Sequence, residues 1–296
     1  MSILDNDFIN KIAKGGFILN TIFILLSGFL LAQSASKSNL TFYSFIKRRV
    51  SRIYPPFLIS ILFVFLYNVL IINNFNFQDF FLWITGFGYF FNTDVLSTNH
   101  LWFVSVILMC YILFFPTIYL IKKFTIFYLI FIFFILIVSD YCFQNSQYFY
   151  ANISSVKLNR FLYHYFVFSL GIFFFTNNIK IEIFKKVDYF FLFFGFVLYT
   201  LCLQYKNNIM GIITVILALI TAYGYIKVVY MLADRFENSI LFHLKNITFE
   251  MYLIHYVIII FIHHFIANPY IGYLIVYPIT IIFSFGINKF SSSISK

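Results

Sequence analysis

Phe45-Ile-Lys-Arg-Arg-Val-Ser-Arg-Ile-Tyr-Pro-Pro56 decides how this chain is read. Four cations, Lys47, Arg48, Arg49 and Arg52, fall within six residues of a protein in which only 10% of residues are charged. Apolar runs of membrane length lie on both sides, Phe17 to Ala32 before the cluster and Phe57 to Ile72 after it. Lys and Arg beside a span stay on the cytoplasmic face, so the cluster fixes orientation. It also presents guanidinium groups, whose rigid donor fork matches phosphate, to any soluble anion that reaches the inner leaflet.

Composition sets the class. Hydrophobic residues make up 62% of the 296, Phe alone supplies 46, and mean hydropathy is +0.92. One soluble core cannot absorb that much apolar surface. An all-α polytopic membrane protein is predicted, as a single integral-membrane domain over residues 1–296. The net charge of +10 does not point to nucleic acid, because the basic residues sit in short loops between spans rather than along one face of a soluble domain. Cys110, Cys142 and Cys202 belong to separate apolar runs with no CxxC spacing. Neither a disulfide framework nor a metal site is expected, and each thiol reads as a small buried hydrophobe.

Moving outward, the run from Gly15 to Gln33 ends in Leu31-Ala-Gln-Ser-Ala35, which has the look of a signal-peptide cleavage site. Residues 37–52 carry five positive charges and no acid, which resists translocation, so the run is expected to stay as the first span. Further runs at 54–73, 101–121, 124–140, 161–176, 188–204, 209–228, 247–267 and 271–288 bring the predicted total to nine. Phe80 to Phe91 is too short to cross and is expected to lie in the interface or re-enter. With 34–53 inside, the other cytoplasmic segments are 122–123, 177–187, 229–246 and the C-terminus. Assigning each charge to the nearer side puts 15 of the 20 Lys and Arg inside and splits the ten acids evenly. That asymmetry predicts an outer N-terminus and an inner C-terminus. Turns are marked by Asn73-Asn74, Asn177-Asn178 and Asn207-Asn208.

Ionisable and amphipathic residues at membrane depth are costly, so each is a candidate site. His100 and Trp102 open the third span at its outer face, where an interfacial aromatic belt is the alternative reading. His255 falls near the middle of the 247–267 run. Glu250, five residues earlier, is offset from it by roughly 140° around an ideal helix, so a direct pair within the helix is not expected. A partner on another span, or water in a cavity, is expected instead. His263 and His264 point apart and make weak metal ligands, while His164 beside Arg160 and His243 beside Lys245 read as structural or solvated.

Four motifs then occur in order: Phe23-Ile-Leu-Leu-Ser-Gly-Phe29; Lys47-Arg-Arg-Val-Ser-Arg-Ile-Tyr-Pro55; His100-Leu-Trp-Phe-Val-Ser105 with Tyr111 and Pro116; and Glu250-Met-Tyr-Leu-Ile-His255. Together they resemble the integral-membrane acyltransferase 3 family, whose members O-acylate cell-surface polysaccharides, lipopolysaccharide or peptidoglycan. The resemblance covers nearly the whole chain. It implies an O-acyltransferase, of acetyl groups in the first instance, in the inner or plasma membrane. The donor would be cytosolic acyl-CoA, with no bound cofactor or metal, and the acceptor a sugar hydroxyl on a polysaccharide or lipid-linked glycan. By the same resemblance Arg49, Arg52 and Arg48 would hold the donor's phosphates or acyl carbonyl. His100, Trp102, Glu250 and His255 are candidates to line the site, and Tyr54-Pro55-Pro56 would start the next helix.

Family members open with a span that carries an Arg near its start and a His, the residue assigned to catalysis, near its outer end. No such helix precedes Ser27-Gly28-Phe29, so the expected form is truncated at its N-terminus and its catalytic residue is unassigned. Two other classes therefore stay open, an inactive relative and a polysaccharide flippase or polymerase.

Overall fold

The structure is a computed structural model that describes residues 17–37, 41–73, 76–91, 96–145, 153–178, 246–266 and 269–294, with single positions at 217, 220, 221, 223 and 224. Among the described residues every regular element is helical. The helices are α1 (Phe17–Lys37), α2 (Phe42–Tyr67), α3 (Phe77–Ile84), α4 (Trp102–Phe124), α5 (Ile126–Asn145), α6 (Ile153–Thr176), α7 (Thr248–Phe265) and α8 (Pro269–Ile294). Six of them, α1, α2, α4, α6, α7 and α8, are long and apolar enough to cross a membrane. The apolar part of α5, Ile126–Cys142, is slightly shorter. The predicted span at 188–204 lies outside the described residues, as does that at 209–228 but for those five single positions, and so do His243 and Cys202.

Two compact units divide the chain. Met1–Asn39 and Cys110–Arg235 form the first, and Leu40–Met109 and Phe236–Lys296 form the second. In the first unit α1 and α6 cross with their backbones nearly touching. A Cβ on Gly28 would sit 2.2 Å from the Phe168 carbonyl oxygen, and one on Gly171 would sit 2.0 Å from that of Leu25. Without a Cβ at either position, dispersion contacts form backbone to backbone, the usual way helices associate in lipid. Thr21 and Tyr163 share a hydrogen bond of 3.1 Å, and the Phe29 and Phe175 rings meet edge to face at 5.6 Å. Because these pairs advance together along both helices, α1 and α6 run parallel. The helix continues through the residues resembling a cleavage site.

A chain of hydroxyls ties α4, α5 and α6 together in the same unit. Thr117 donates to the Leu113 carbonyl at 2.6 Å, so it must accept from Tyr165 at 2.6 Å, and Tyr165 in turn accepts from Tyr128 at 2.8 Å. Each hydroxyl has one proton to give, so the direction of the chain is fixed by its terminal carbonyl.

The second unit corrects two expectations. The basic cluster is not a loop, because α2 begins at Phe42, where the Thr41 hydroxyl accepts the Ser44 N–H at 3.3 Å. Nor do Pro55 and Pro56 start a helix; both lie inside α2. Lacking N–H groups, they leave the Ser51 and Arg52 carbonyls without their helical partners, next to the cations. Helical geometry continues through one π-turn, Asn68–Ile72, and stops at Asn73 in the left-handed conformation. The full 31 residues, Phe42–Ile72, span about 46 Å against a hydrocarbon core of about 30 Å. The helix is thus longer than a span needs, and its first three turns hold all four cations.

Helix α3 doubles back along α2. Phe80 stacks edge to face on Phe65 at 4.7 Å, and the Tyr54 hydroxyl donates to the Ile84 carbonyl, nearer the basic end. Gly86, at φ 79°, then turns the chain where only glycine is unstrained, and a 3₁₀ turn at Leu96–Leu101 leads into α4. Ser60 bonds to the Leu253 carbonyl and Tyr67 meets Phe261 at 5.0 Å, so α2 and α7 run parallel. Helix α8 returns antiparallel to α7, with His263 against Gly272 at one end and Glu250 bonded to Asn288 at the other.

Candidate functional site

The polar interior of the second unit converges on one backbone atom. The Leu253 carbonyl oxygen, midway along α7, accepts from the Ser60 hydroxyl at 2.7 Å and from His100 Nε2–H at 2.9 Å. A carbonyl only accepts, so a neutral His100 ring carries its proton on Nε2 and its lone pair on Nδ1. In return the Tyr252 hydroxyl donates to the His100 carbonyl, and the Phe103 ring packs edge to face on Tyr252 at 5.3 Å. His100 is 8% exposed, level with Ser60 rather than with the Ile72 end of α2. From Ser60 to Ile72 the helix rises about 18 Å. His100 thus lies inside the unit, at the level of the middle of α2.

His255 comes beside it, with ring centroids 6.1 Å apart. Its Nδ1–H donates to the carbonyls of Tyr252 at 2.7 Å and Met251 at 3.2 Å, both in its own helix. The lone pair of the neutral ring is therefore on Nε2, which makes no hydrogen bond among the described residues. Tyr256 completes the aromatic group, its ring 4.9 Å from that of His100.

Nearer the basic end, Glu250 is 6% exposed and turned away from His255. Asn288 Nδ2 donates to its Oε1 at 3.0 Å and to the Asn246 carbonyl at 3.0 Å. Glu250 Oε2 is buried with no hydrogen-bond partner among the described residues. On α2 the cations divide by helical face. Arg49 is half-buried, its guanidinium carbon 5.6 Å from the Phe45 ring centre, on the stripe that buries Phe45, Ile53 and Pro56. Lys47, Arg48 and Arg52 are exposed. Arg49 and Ser60 are eleven residues apart on one helix, about 16 Å along its axis.

Trp102 opens α4, half-buried, with its ring 6.3 Å from Tyr89. Two other histidines are described in their own surroundings. His164 is buried beside Tyr163 in the first unit, and His264 packs on Phe265. No cluster of three or more His, Cys, Asp or Glu side chains occurs among the described residues. Sequence reasoning missed Ser60, Tyr252 and Tyr54. Ser60 could have been found as the lone hydroxyl in the apolar run Phe57 to Phe65. Tyr252, one turn before His255, gave no signal that separates it from 22 other tyrosines.

These features define a helical, multi-pass membrane protein with cations at the head of one span and two imidazoles in the interior of the same unit. A family model described as an acyltransferase domain matches residues 10–289, and the chain belongs to that family, acyltransferase 3. No curated protein and no solved structure matches the chain.

Proposed function

We propose that this protein is an O-acyltransferase, moving an acetyl group from cytosolic acyl-CoA to a sugar hydroxyl of a surface polysaccharide or lipid-linked glycan. In this reading Arg49, Arg52 and Arg48 hold the donor's phosphates, and His100, Trp102, Glu250 and His255 line the path to the acceptor. One observation carries it. The cationic head of α2 and the His100–His255 group belong to the same unit, separated along α2 by about 16 Å. That spacing suits an extended pantetheine arm, whose anionic end would stay at the guanidinium groups while its thioester reached the imidazoles. Arginine fits this task because it is always charged and binds phosphate through two parallel N–H bonds.

The proposal includes nine spans, an outer N-terminus and an inner C-terminus in the cell membrane. Two parallel helix pairs support the count. For α1 and α6 to run parallel, an odd number of crossings must separate them, so α5 has to cross along with α2 and α4. For α2 and α7 to run parallel, the three crossings α4, α5 and α6 need an even number after them. The two apolar runs at 188–204 and 209–228 satisfy that condition, and one run alone would not.

The test is acetyl-CoA binding to the full chain in nanodiscs, paired with acetylation of surface glycan in expressing cells. Arg49→Ala and Arg52→Ala should each weaken binding and lower acetylation at normal protein level. Binding that ignores both substitutions would remove the donor assignment.

A further inference from the structure

Helix α3 buries one side chain, Trp83, which is 2% exposed. Its indole Nε1–H is closed to solvent and has no hydrogen-bond partner among the described residues. An indole nitrogen only donates, so in this state it forgoes the bond that water gives it in the unfolded chain. The ring itself is fixed. A Cβ on Gly88 would lie 2.5 Å from Trp83 Cδ2, 2.7 Å from Cγ and 2.8 Å from Cε2, all atoms of the five-membered ring that carries the N–H. The backbone of the turn after α3 therefore covers that half of the indole. Phe90 N–H closes the turn on the Phe87 carbonyl at 2.9 Å.

The height of Trp83 along α2 decides what its N–H can meet. Its neighbour Ile84 is held by the Tyr54 hydroxyl. A Cβ on Gly86 would lie 3.8 Å from the Phe57 ring and 3.9 Å from the Tyr54 ring. Trp83 thus stands beside the stretch Tyr54 to Phe57, about 7–12 Å along the helix from Arg49 and about 4–9 Å short of Ser60. The cations lie on one side of that level and the His100–His255 group on the other, all in the same unit.

We propose that Trp83 Nε1–H is a binding group for the acyl donor, donating to an amide carbonyl of its pantetheine arm. This rests on the acyl-CoA reading above. A donor molecule stretched from the guanidinium groups to the imidazoles crosses the level of Trp83 with its uncharged middle, whose two amides carry the carbonyl acceptors. An amide carbonyl among apolar side chains needs a donor as much as the indole needs an acceptor, and one bond satisfies both. The turn over the indole shifts as the arm enters. Trp83 makes and breaks no covalent bond.

The chain has only two tryptophans, Trp83 and Trp102. The full chain in nanodiscs, isotope-labelled at the indole nitrogen, therefore gives two N–H resonances, and Trp83→Phe identifies which is which. Saturating acetyl-CoA or free CoA should move the Trp83 resonance downfield, as an N–H gaining an acceptor does, and ADP, which lacks the pantetheine arm, should not. In Trp83→Phe the affinities for acetyl-CoA and CoA should both fall by about 3–10-fold. ADP affinity should be unchanged, showing that the fold and the cationic head are intact. An unmoved Trp83 resonance overturns the proposal, as does wild-type affinity for acetyl-CoA in Trp83→Phe. Equal weakening of all three ligands also overturns it, because Trp83 would then only support the fold. A response to acetyl-CoA but not to CoA would place the acceptor at the thioester and overturn the amide assignment. Failure of wild-type protein to bind acetyl-CoA at all is separate, and overturns the donor reading on which this one stands.

Discussion

Replacing Gly28 by alanine adds one methyl group at the closest approach of α1 and α6. The new Cβ would lie 2.2 Å from the Phe168 carbonyl oxygen, 3.1 Å from its carbon and 3.3 Å from Ile172 N, where an ordinary contact needs at least 3.4 Å. All three atoms are backbone, so no side chain can swing aside. The helices must separate by about 1.2 Å at this point, the shortfall of the shortest contact. The opposite side is equally tight, with Gly171 facing the Leu25 carbonyl. Forcing extra volume into a packed contact costs about 1–3 kcal/mol. Alanine returns at most about 1 kcal/mol of helix propensity. A net loss of about 1–2 kcal/mol is expected, and Gly28→Ala with Gly171→Ala should cost less than the sum, because helices already parted make room for the second methyl. Unfolding in detergent or nanodiscs measures it. Gly286→Ala in α8, where nothing lies within 4 Å of the added Cβ, is the control and should be neutral or stabilising. Gly28→Ala as stable as wild type, or Gly286→Ala equally damaging, would refute the close crossing.

Tyr165→Phe removes the middle of the hydroxyl chain and leaves Tyr128 without an acceptor, for a loss near 1 kcal/mol in the same unfolding assay. Tyr128→Phe removes only its end and should cost less. At the Leu253 carbonyl, Ser60→Ala leaves the His100 bond in place and should be mild, whereas His100→Ala deletes a buried ring and should destabilise more. Limited proteolysis within 77–101 reads that difference, and equal sensitivity in the two variants would contradict it.

Much of the fold was legible because lipid imposes a simple rule: about twenty apolar residues make a span. Charge asymmetry gave an orientation, and Ser27-Gly28-Phe29 stood out, although its physical reason did not. That reason is a backbone contact with Phe168, 140 residues away, which no local pattern records. The prolines misled for a related cause. Pro55-Pro56 reads as a helix start, yet a helix capped at Thr41 and packed along a full face can carry both through its interior. For the candidate site, the histidines and arginines were visible as costly residues in an apolar chain. Their arrangement was not. His100 looked like an outer-surface residue because it opens an apolar run, but α3 runs back along α2 and the His100 ring lies at the level of Ser60.

That doubling back explains why the polar groups gather where they do. Irregular backbone at membrane depth survives only where protein or water satisfies its N–H and C=O groups. The described residues between α3 and α4 form turns and a 3₁₀ turn, and here the Tyr54 hydroxyl caps the Ile84 carbonyl while the Tyr252 hydroxyl caps that of His100. His100 repays the contact by donating to Leu253. Tyr54, Tyr252 and His100 are thus committed to holding the segment, and changing any of them alters structure and chemistry together. His255 is different, because both of its hydrogen bonds close within α7 and nothing outside that helix hangs from it. Substituting His255 therefore leaves the hydrogen bonds that hold the segment before α4 in place.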